Sequence, residues 1–304
     1  MLLLEQMIVL FFLMGVGFFG YKKNIITEES GKKLSAIVVN IANPAMILTG
    51  CMGDEKIEGQ ELLMMVGIVV AMYSVLLLLA LIIPRILRVK KGSRGPYQVM
   101  TIFSNIGFMG FPVITALYGS GALLYASLFM IPYNILIYTY GVAAMSAGKS
   151  SMKDSFSIRK ILNVGVIACI VTMIVYLLQI PVPSFIKSTA THLSNLTAPL
   201  SMMVIGASLA TIDLKKLFMD GKLLLFSVIK LIVIPVVGMV IIRQFVDNEI
   251  ICGVCMVMLA TPVGSMTAML AQQYEGDYEM ASKGVALTTV LSVATMPLVS
   301  MLVG

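Results

Sequence analysis

The sequence predicts an all-α integral membrane protein of ten transmembrane helices, arranged as two inverted five-helix repeats. Three observations predict it. The composition is too apolar for a water-facing surface, the chain holds ten apolar segments of spanning length, and basic charge alternates in the loops between them.

Of the 304 residues, 59% are hydrophobic and 12% charged, and mean hydropathy is +0.99. Soluble domains carry about 25% charged residues, so lipid rather than water is the expected outer solvent. One helical crossing takes roughly 20 mainly apolar residues. No length is left for a separate soluble domain.

Apolar windows fall at about 4–21, 34–51, 62–84, 98–117, 121–146, 161–180, 189–211, 222–243, 250–271 and 281–303. Open sheets cannot lie in lipid, so each window is read as a helix. The first has no basic stretch before it and no small-x-small cleavage site, and is read as a retained helix rather than a signal peptide.

The net charge of +6 would suggest a nucleic-acid partner in a soluble protein. Here the charge sits between apolar segments and sets orientation, so membrane lipid and not nucleic acid is the expected surrounding. Of the 21 Lys and Arg, only Lys56, Lys187 and Arg243 are assigned to even-numbered loops, and only Lys230 lies mid-segment. Basic loops stay cytoplasmic. Odd loops are therefore expected inside the cell membrane, and both termini on its extracellular or periplasmic side. The ninth loop is the least basic, with Glu275, Asp277 and Glu279 against Lys283, but acidic residues count little in this rule.

The longest polar stretch, Gly148 to Lys160, divides the chain into a first repeat, 1–147, a cytoplasmic linker, 148–160, and a second repeat, 161–304. Five crossings per half force the second half to be inverted. Short echoes agree: Asn40-x-x-x-Pro44 answers Asn195-x-x-x-Pro199. Asn105-Ile-Gly107 with Tyr118-Gly119 answers Pro262-Val-Gly264 with Tyr274-Glu-Gly276.

Inverted-repeat transporters hold substrate near the midplane between helices broken there. The fourth segment, Thr101-Ile-Phe-Ser-Asn-Ile-Gly-Phe-Met-Gly-Phe-Pro112, and the ninth, Leu259-Ala-Thr-Pro-Val-Gly-Ser-Met-Thr267, fit this best. Pro112 and Pro262 each remove a donor and clash with the preceding turn. Gly107, Gly110 and Gly264 let the chain leave helical angles. Non-helical backbone is expected at both prolines, with the segments crossing and their helix N-termini favouring an anion. The plainer alternative is kinks and packing points.

Lys230 lies mid-segment, where an ionisable residue is a functional candidate by default. Its other possible role is to hold carbonyls freed at a broken helix. Asn40, Asn43, Asn105, Asn134 and Asn195 are expected to be buried amides. Asn105 falls at the break, and the rest are read as interhelical hydrogen-bonding groups. Gly15, Gly17 and Gly20 read as a small-residue packing face. Cys252 and Cys255 lie in an apolar run and read as packing, and His192 as a surface residue. No Ser/His/Asp set, HExxH or phosphate-cradling loop occurs, so no enzyme activity, cofactor or metal is expected.

Ser104-Asn105-Ile-Gly-Phe-Met-Gly-Phe-Pro112 with Leu117-Tyr118-Gly119 resembles the fourth helix of the auxin efflux carrier family, which includes the plant PIN-FORMED carriers and bacterial relatives. Ala260-Thr-Pro262-Val-Gly264 with Ala271-Gln-Gln-Tyr274 resembles its matching crossover segment, and Lys230-Leu-Ile-Val-Ile-Pro235 its eighth helix. Asn43-Pro44 is similar to the bacterial branch. The resemblance covers the whole chain. It implies a fold related to the bile acid:sodium symporters, with helices 1, 2, 6 and 7 as a dimerising scaffold and helices 3–5 and 8–10 as a moving transport domain. It also implies a carrier for a small organic anion, a carboxylate such as malate or an auxin-like acid, moved by an elevator-type mechanism. The implied substrate-binding residues are Asn105, Ser104, Gly107, Pro112, Thr261, Pro262, Gly264 and Ser265, with Lys230 and Asn43. Where the plant carriers place a second Pro after the ninth-helix Pro-x-Gly, Thr267 and Ala268 stand here. The long cytoplasmic loop of the plant carriers is absent. A sodium-coupled symporter, using Ser104, Thr261, Ser265 and Thr267 as oxygen ligands, is the nearest alternative. A channel or membrane receptor is more distant.

Overall fold

The computed structural model describes residues 2–52, 59–146, 163–211 and 218–303. The linker 148–160 lies outside the described residues, as do Lys56, Lys215 and Lys216. In chain order the helices are α1 (Leu2–Lys22), α2 (28–49), α3 (Gly59–Ile86), α4 (Arg94–Ile102), α5 (Ile106–Tyr118) and α6 (Ala122–Met145). They continue as α7 (Val164–Leu177), α8 (Ser184–Ser194), α9 (Thr197–Leu209), α10 (Gly221–Ile242), α11 (Glu249–Ala260), α12 (Met266–Gln273) and α13 (Tyr278–Val303). Among the described residues there is no strand beyond an isolated bridge.

Helix starts follow capping chemistry, in which a polar side chain satisfies a first-turn amide. Thr27 and Ser30 form a capping box at α2. The Asp220 carboxylate accepts from the amides of Lys222 and Leu223, and the Asn248 side chain from those of Ile250 and Ile251.

Three helices contain a proline two residues beyond a five-residue π-helical turn. The turns are Val38–Ala42 before Pro44, Ile106–Gly110 before Pro112 and Ile229–Val233 before Pro235. A proline ring collides with the carbonyl four residues back, and the wider π turn moves that carbonyl aside. This corrects the expectation for Pro112. It lies inside α5, with helical backbone, and the non-helical stretch falls earlier, at Phe103–Asn105. A second echo also shifts. Gly119 ends α5 with φ 78°, but in the second half Glu275 takes the left-handed conformation, with φ 54°, and not Gly276.

The outer surface is apolar. Phe12, Phe19, Leu63, Leu178, Phe185 and Phe245 are all exposed, which a soluble monomer does not tolerate over so wide an area. Among the described residues α3, α6, α10 and α13 are long and apolar enough to cross a membrane, and Ile8–Lys22, α5, α7 and α11 are shorter apolar helices. The chain is a multi-pass, all-helical membrane protein.

The most extensive helix pair is α1 on α9. Gly17 and Gly206 bring the two backbones together: a Cβ at Gly206 would lie 1.8 Å from the Met14 carbonyl oxygen, and one at Gly17 2.1 Å from that of Met203. Gly15, on the same helix, meets nothing within 4 Å. α2 packs on α7 and α8, α3 on α4, α10 on α11, and α12 on α13.

Polar contacts tie the loops together at two ends. At one end Lys222 Nζ donates to the Arg88 carbonyl at 2.9 Å and Ser93 Oγ to Asp277 at 2.6 Å. At the other, Lys187 Nζ donates to the Met52 carbonyl at 3.1 Å. Glu61 there accepts from Asn248 and Tyr125, each at 2.7 Å.

Two expected burials are corrected. Asn40 and Asn195 are exposed on this chain. Asn40 sits on the outward face of α2, where its Nδ2 turns back onto the Ala36 carbonyl at 2.9 Å. Asn195 sits at the joint between α8 and α9.

Candidate functional site

The fourth and ninth segments break at the same place. α4 ends at Ile102, and Phe103 has extended backbone, φ −99° and ψ 97°. α11 ends at Ala260, and Thr261 is likewise extended, φ −63° and ψ 145°. A break in an apolar interior leaves amides and carbonyls that need partners. Here each break supplies the other. The Asn105 amide donates to the Pro262 carbonyl at 2.7 Å, and the Gly264 amide to the Phe103 carbonyl at 2.9 Å. The two bonds flank an antiparallel bridge between Ser104 and Val263. The breaks therefore lie side by side, antiparallel and bonded to each other, and α5 and α12 both begin at this point.

Several other groups at the breaks also find partners. The Val263 amide donates to Thr288 Oγ1 at 3.1 Å. Thr288 in turn donates to the Gly284 carbonyl at 2.7 Å, within α13. The Asn105 carbonyl accepts from the amides of Met109 and Gly110. The Thr101 carbonyl, freed by the end of α4, accepts from Lys230 Nζ at 3.2 Å, and Ser104 Oγ accepts from the same Nζ at 2.8 Å. Lys230 is fully buried and is the one buried charged side chain among the described residues.

Asn43, on α2, lies against the start of α5: a Cβ at Gly107 would meet Asn43 Nδ2 at 3.0 Å. Its Oδ1 is buried with no partner among the described residues. The Asn105 side chain is 5% exposed. Gly264 allows the close approach of the two breaks, since a Cβ there would lie 3.0 Å from the Ser104 carbonyl and 3.2 Å from Tyr133 Oη. Thr261 and Thr267 are fully buried, and the Thr267 hydroxyl has no partner among the described residues. A cavity of about 10 Å³ adjoins Ser104, lined mainly by Tyr73, Leu76, Ile106, Phe129 and Met258. That is room for about one water.

The structure thus gathers Ser104, Asn105, Thr261, Pro262, Gly264 and Lys230 at the paired breaks, with Asn43 and Gly107 beside them. Pro112 stands further along α5, and Ser265 is exposed. Tyr133 and Thr288 were missed. Tyr133 packs edge-on against Phe103, with ring centroids 5.3 Å apart. The only signal for Thr288 was a Thr-Thr pair in an apolar run, and nothing in the pattern told which partner it serves.

Two half-helices that begin at one buried point, inside an apolar bundle, are the architecture of a membrane transport protein. The comparisons agree with that class and narrow it. A family model described as a membrane transport protein matches residues 2–300, and the chain belongs to this auxin efflux carrier-like family. It is similar to an uncharacterized transporter of Methanocaldococcus jannaschii, 25% identical over 307 residues, with 98% of each chain covered. It is also similar to an uncharacterized transporter of Methanothermobacter thermautotrophicus, 22% identical over 278 residues. That match covers 90% of this chain and 89% of the relative.

Proposed function

We propose that this transporter moves a small organic anion, a carboxylate, across the cytoplasmic membrane by an elevator-type alternating-access mechanism, with the substrate held at the helix crossing. One observation carries this reading. The reciprocal bonds Asn105–Pro262 and Gly264–Phe103 pin two breaks together, so the N-terminal ends of α5 and α12 meet. Both carry positive partial charge and attract an anion. The Asn105 amide beside them can donate to a carboxylate oxygen.

The same bonds support an inverted repeat of ten crossings. Under one constant shift along the chain, two residues longer than the echo read from the sequence, Asn105 answers Gly264 and Phe103 answers Pro262. The α1–α9 pair is then matched by α7 on α2, and the α3–α4 pair by α10 on α11. We assign α1, α2 and α7–α9 to a scaffold through which the chain forms a homodimer, and α3–α6 and α10–α13 to the moving domain.

The test is a thermal-shift screen of carboxylates on the purified protein, followed by counterflow in proteoliposomes. A ligand of the native state raises its stability by about 2.7 kcal/mol at a hundred times its Kd. Stabilisation by a carboxylate that also shows saturable counterflow is the expected result. A linear, non-saturating flux would instead indicate a channel.

Orientation follows from charge. The end holding Arg88, Lys91 and Lys222 is placed in the cytoplasm, and the end holding Lys187 and Asp247 outside. In a chain stripped of native cysteines, Lys91→Cys and Lys153→Cys should resist an impermeant thiol reagent on intact cells, while Asp247→Cys should react. The opposite labelling pattern would invert the topology.

A further inference from the structure

Lys230 lies in the π-helical turn Ile229–Val233 of α10, fully buried. Its Nζ donates to the Thr101 carbonyl and to Ser104 Oγ, and no carboxylate among the described residues pairs with it. Burying an ammonium costs several kcal/mol unless oxygen donors replace its water. A side chain needed only for bulk would carry no such cost. A carbonyl and a hydroxyl are also the ligands that a desolvated small metal cation takes. The Thr101 carbonyl is available only because α4 stops at Ile102.

We propose that Lys230 is a tethered cation. Its ammonium occupies the place where the oxygens of the broken fourth segment would otherwise collect a soluble monovalent cation. The protein therefore holds its crossing together without sodium. Its bearing on transport rests on the crossing being the substrate site, but its bearing on stability does not.

The experiment is thermal melting of the purified protein in sodium chloride, choline chloride and methylammonium chloride at equal ionic strength. The wild type should melt alike in all three. Lys230→Ala should melt roughly 3–9 °C lower in choline, from the loss of charge-assisted hydrogen bonds. It should recover part of that shift in methylammonium or sodium, which can enter the vacated space. Lys230→Gln, neutral and still filling that space, should stay low in every salt. A wild type stabilised by sodium over choline would overturn the proposal. So would Lys230→Gln melting with the wild type, or Lys230→Ala blind to the salt. If Lys230→Ala yields no folded protein, Ser104→Ala takes its place. It should melt lower than wild type and equally in all three salts, and sodium dependence in it would sink the proposal. Should no carboxylate bind or flow, the anion-carrier reading fails on its own while these melting comparisons still decide the role of Lys230.

Discussion

Gly206→Ala is expected to leave little well-folded protein, because its new methyl group would make the tightest contact of any glycine among the described residues. The new Cβ would lie 1.8 Å from the Met14 carbonyl oxygen, 2.8 Å from its carbon and 2.9 Å from the Phe18 nitrogen. All three are backbone atoms, so no side chain can swing away. α1 and α9 would have to separate. Overpacking a tight site costs about 1–3 kcal/mol and occasionally more. In lipid there is little hydrophobic drive to compensate, because close packing is itself what holds helices together. The reciprocal change, Gly17→Ala, meets the Met203 backbone at 2.1 Å and should act the same way. Gly15→Ala, two residues earlier, meets nothing within 4 Å and should be neutral. Size-exclusion profiles and melting curves of the three variants, side by side, check this. A Gly206→Ala variant that melts with the wild type would mean that α1 and α9 do not touch along this line.

Asn105→Ala is expected to weaken carboxylate binding by about 10- to 150-fold, the equivalent of one charge-assisted hydrogen bond of roughly 1.5–3 kcal/mol. The backbone of Asn105 is committed to the paired breaks, its amide to Pro262 and its carbonyl to Met109 and Gly110. Alanine keeps all of those bonds and deletes only the side-chain amide. Folding should survive, and the ligand-free melting temperature should stay within a few degrees of wild type. Titration of the best carboxylate from the screen, on both proteins, measures the loss. Wild-type affinity in a well-folded Asn105→Ala variant would place the substrate elsewhere.

Much of this protein was legible from residue types alone. Low charge and long apolar runs specify lipid as solvent, because backbone groups in hydrocarbon must bond within helices. Gly and Pro in the fourth and ninth segments marked where helices would break, and Thr261–Gly264 is broken as that pattern implied. Asn105 and Lys230 were conspicuous because polar groups are costly among apolar neighbours. Gly17 was visible as a packing residue for the same kind of local reason.

Other features depended on what stands opposite in space. Pro112 was misread because a proline can be absorbed by a π turn before it, and the residues that form such a turn carry no composition of their own. Asn40 and Asn195 were taken as buried because apolar surroundings in sequence do not tell which face of a helix turns outward. Tyr133 and Thr288 reach the paired breaks from α6 and α13, and no spacing rule joins them to that place. The pairing of Asn105 with Pro262 and Gly264 with Phe103 is likewise tertiary. Sequence determined that two helices would break, since breaking is a property of the local chain. Only the fold decided that each break would satisfy the other, since a freed amide takes whichever carbonyl the packing brings within about 3 Å.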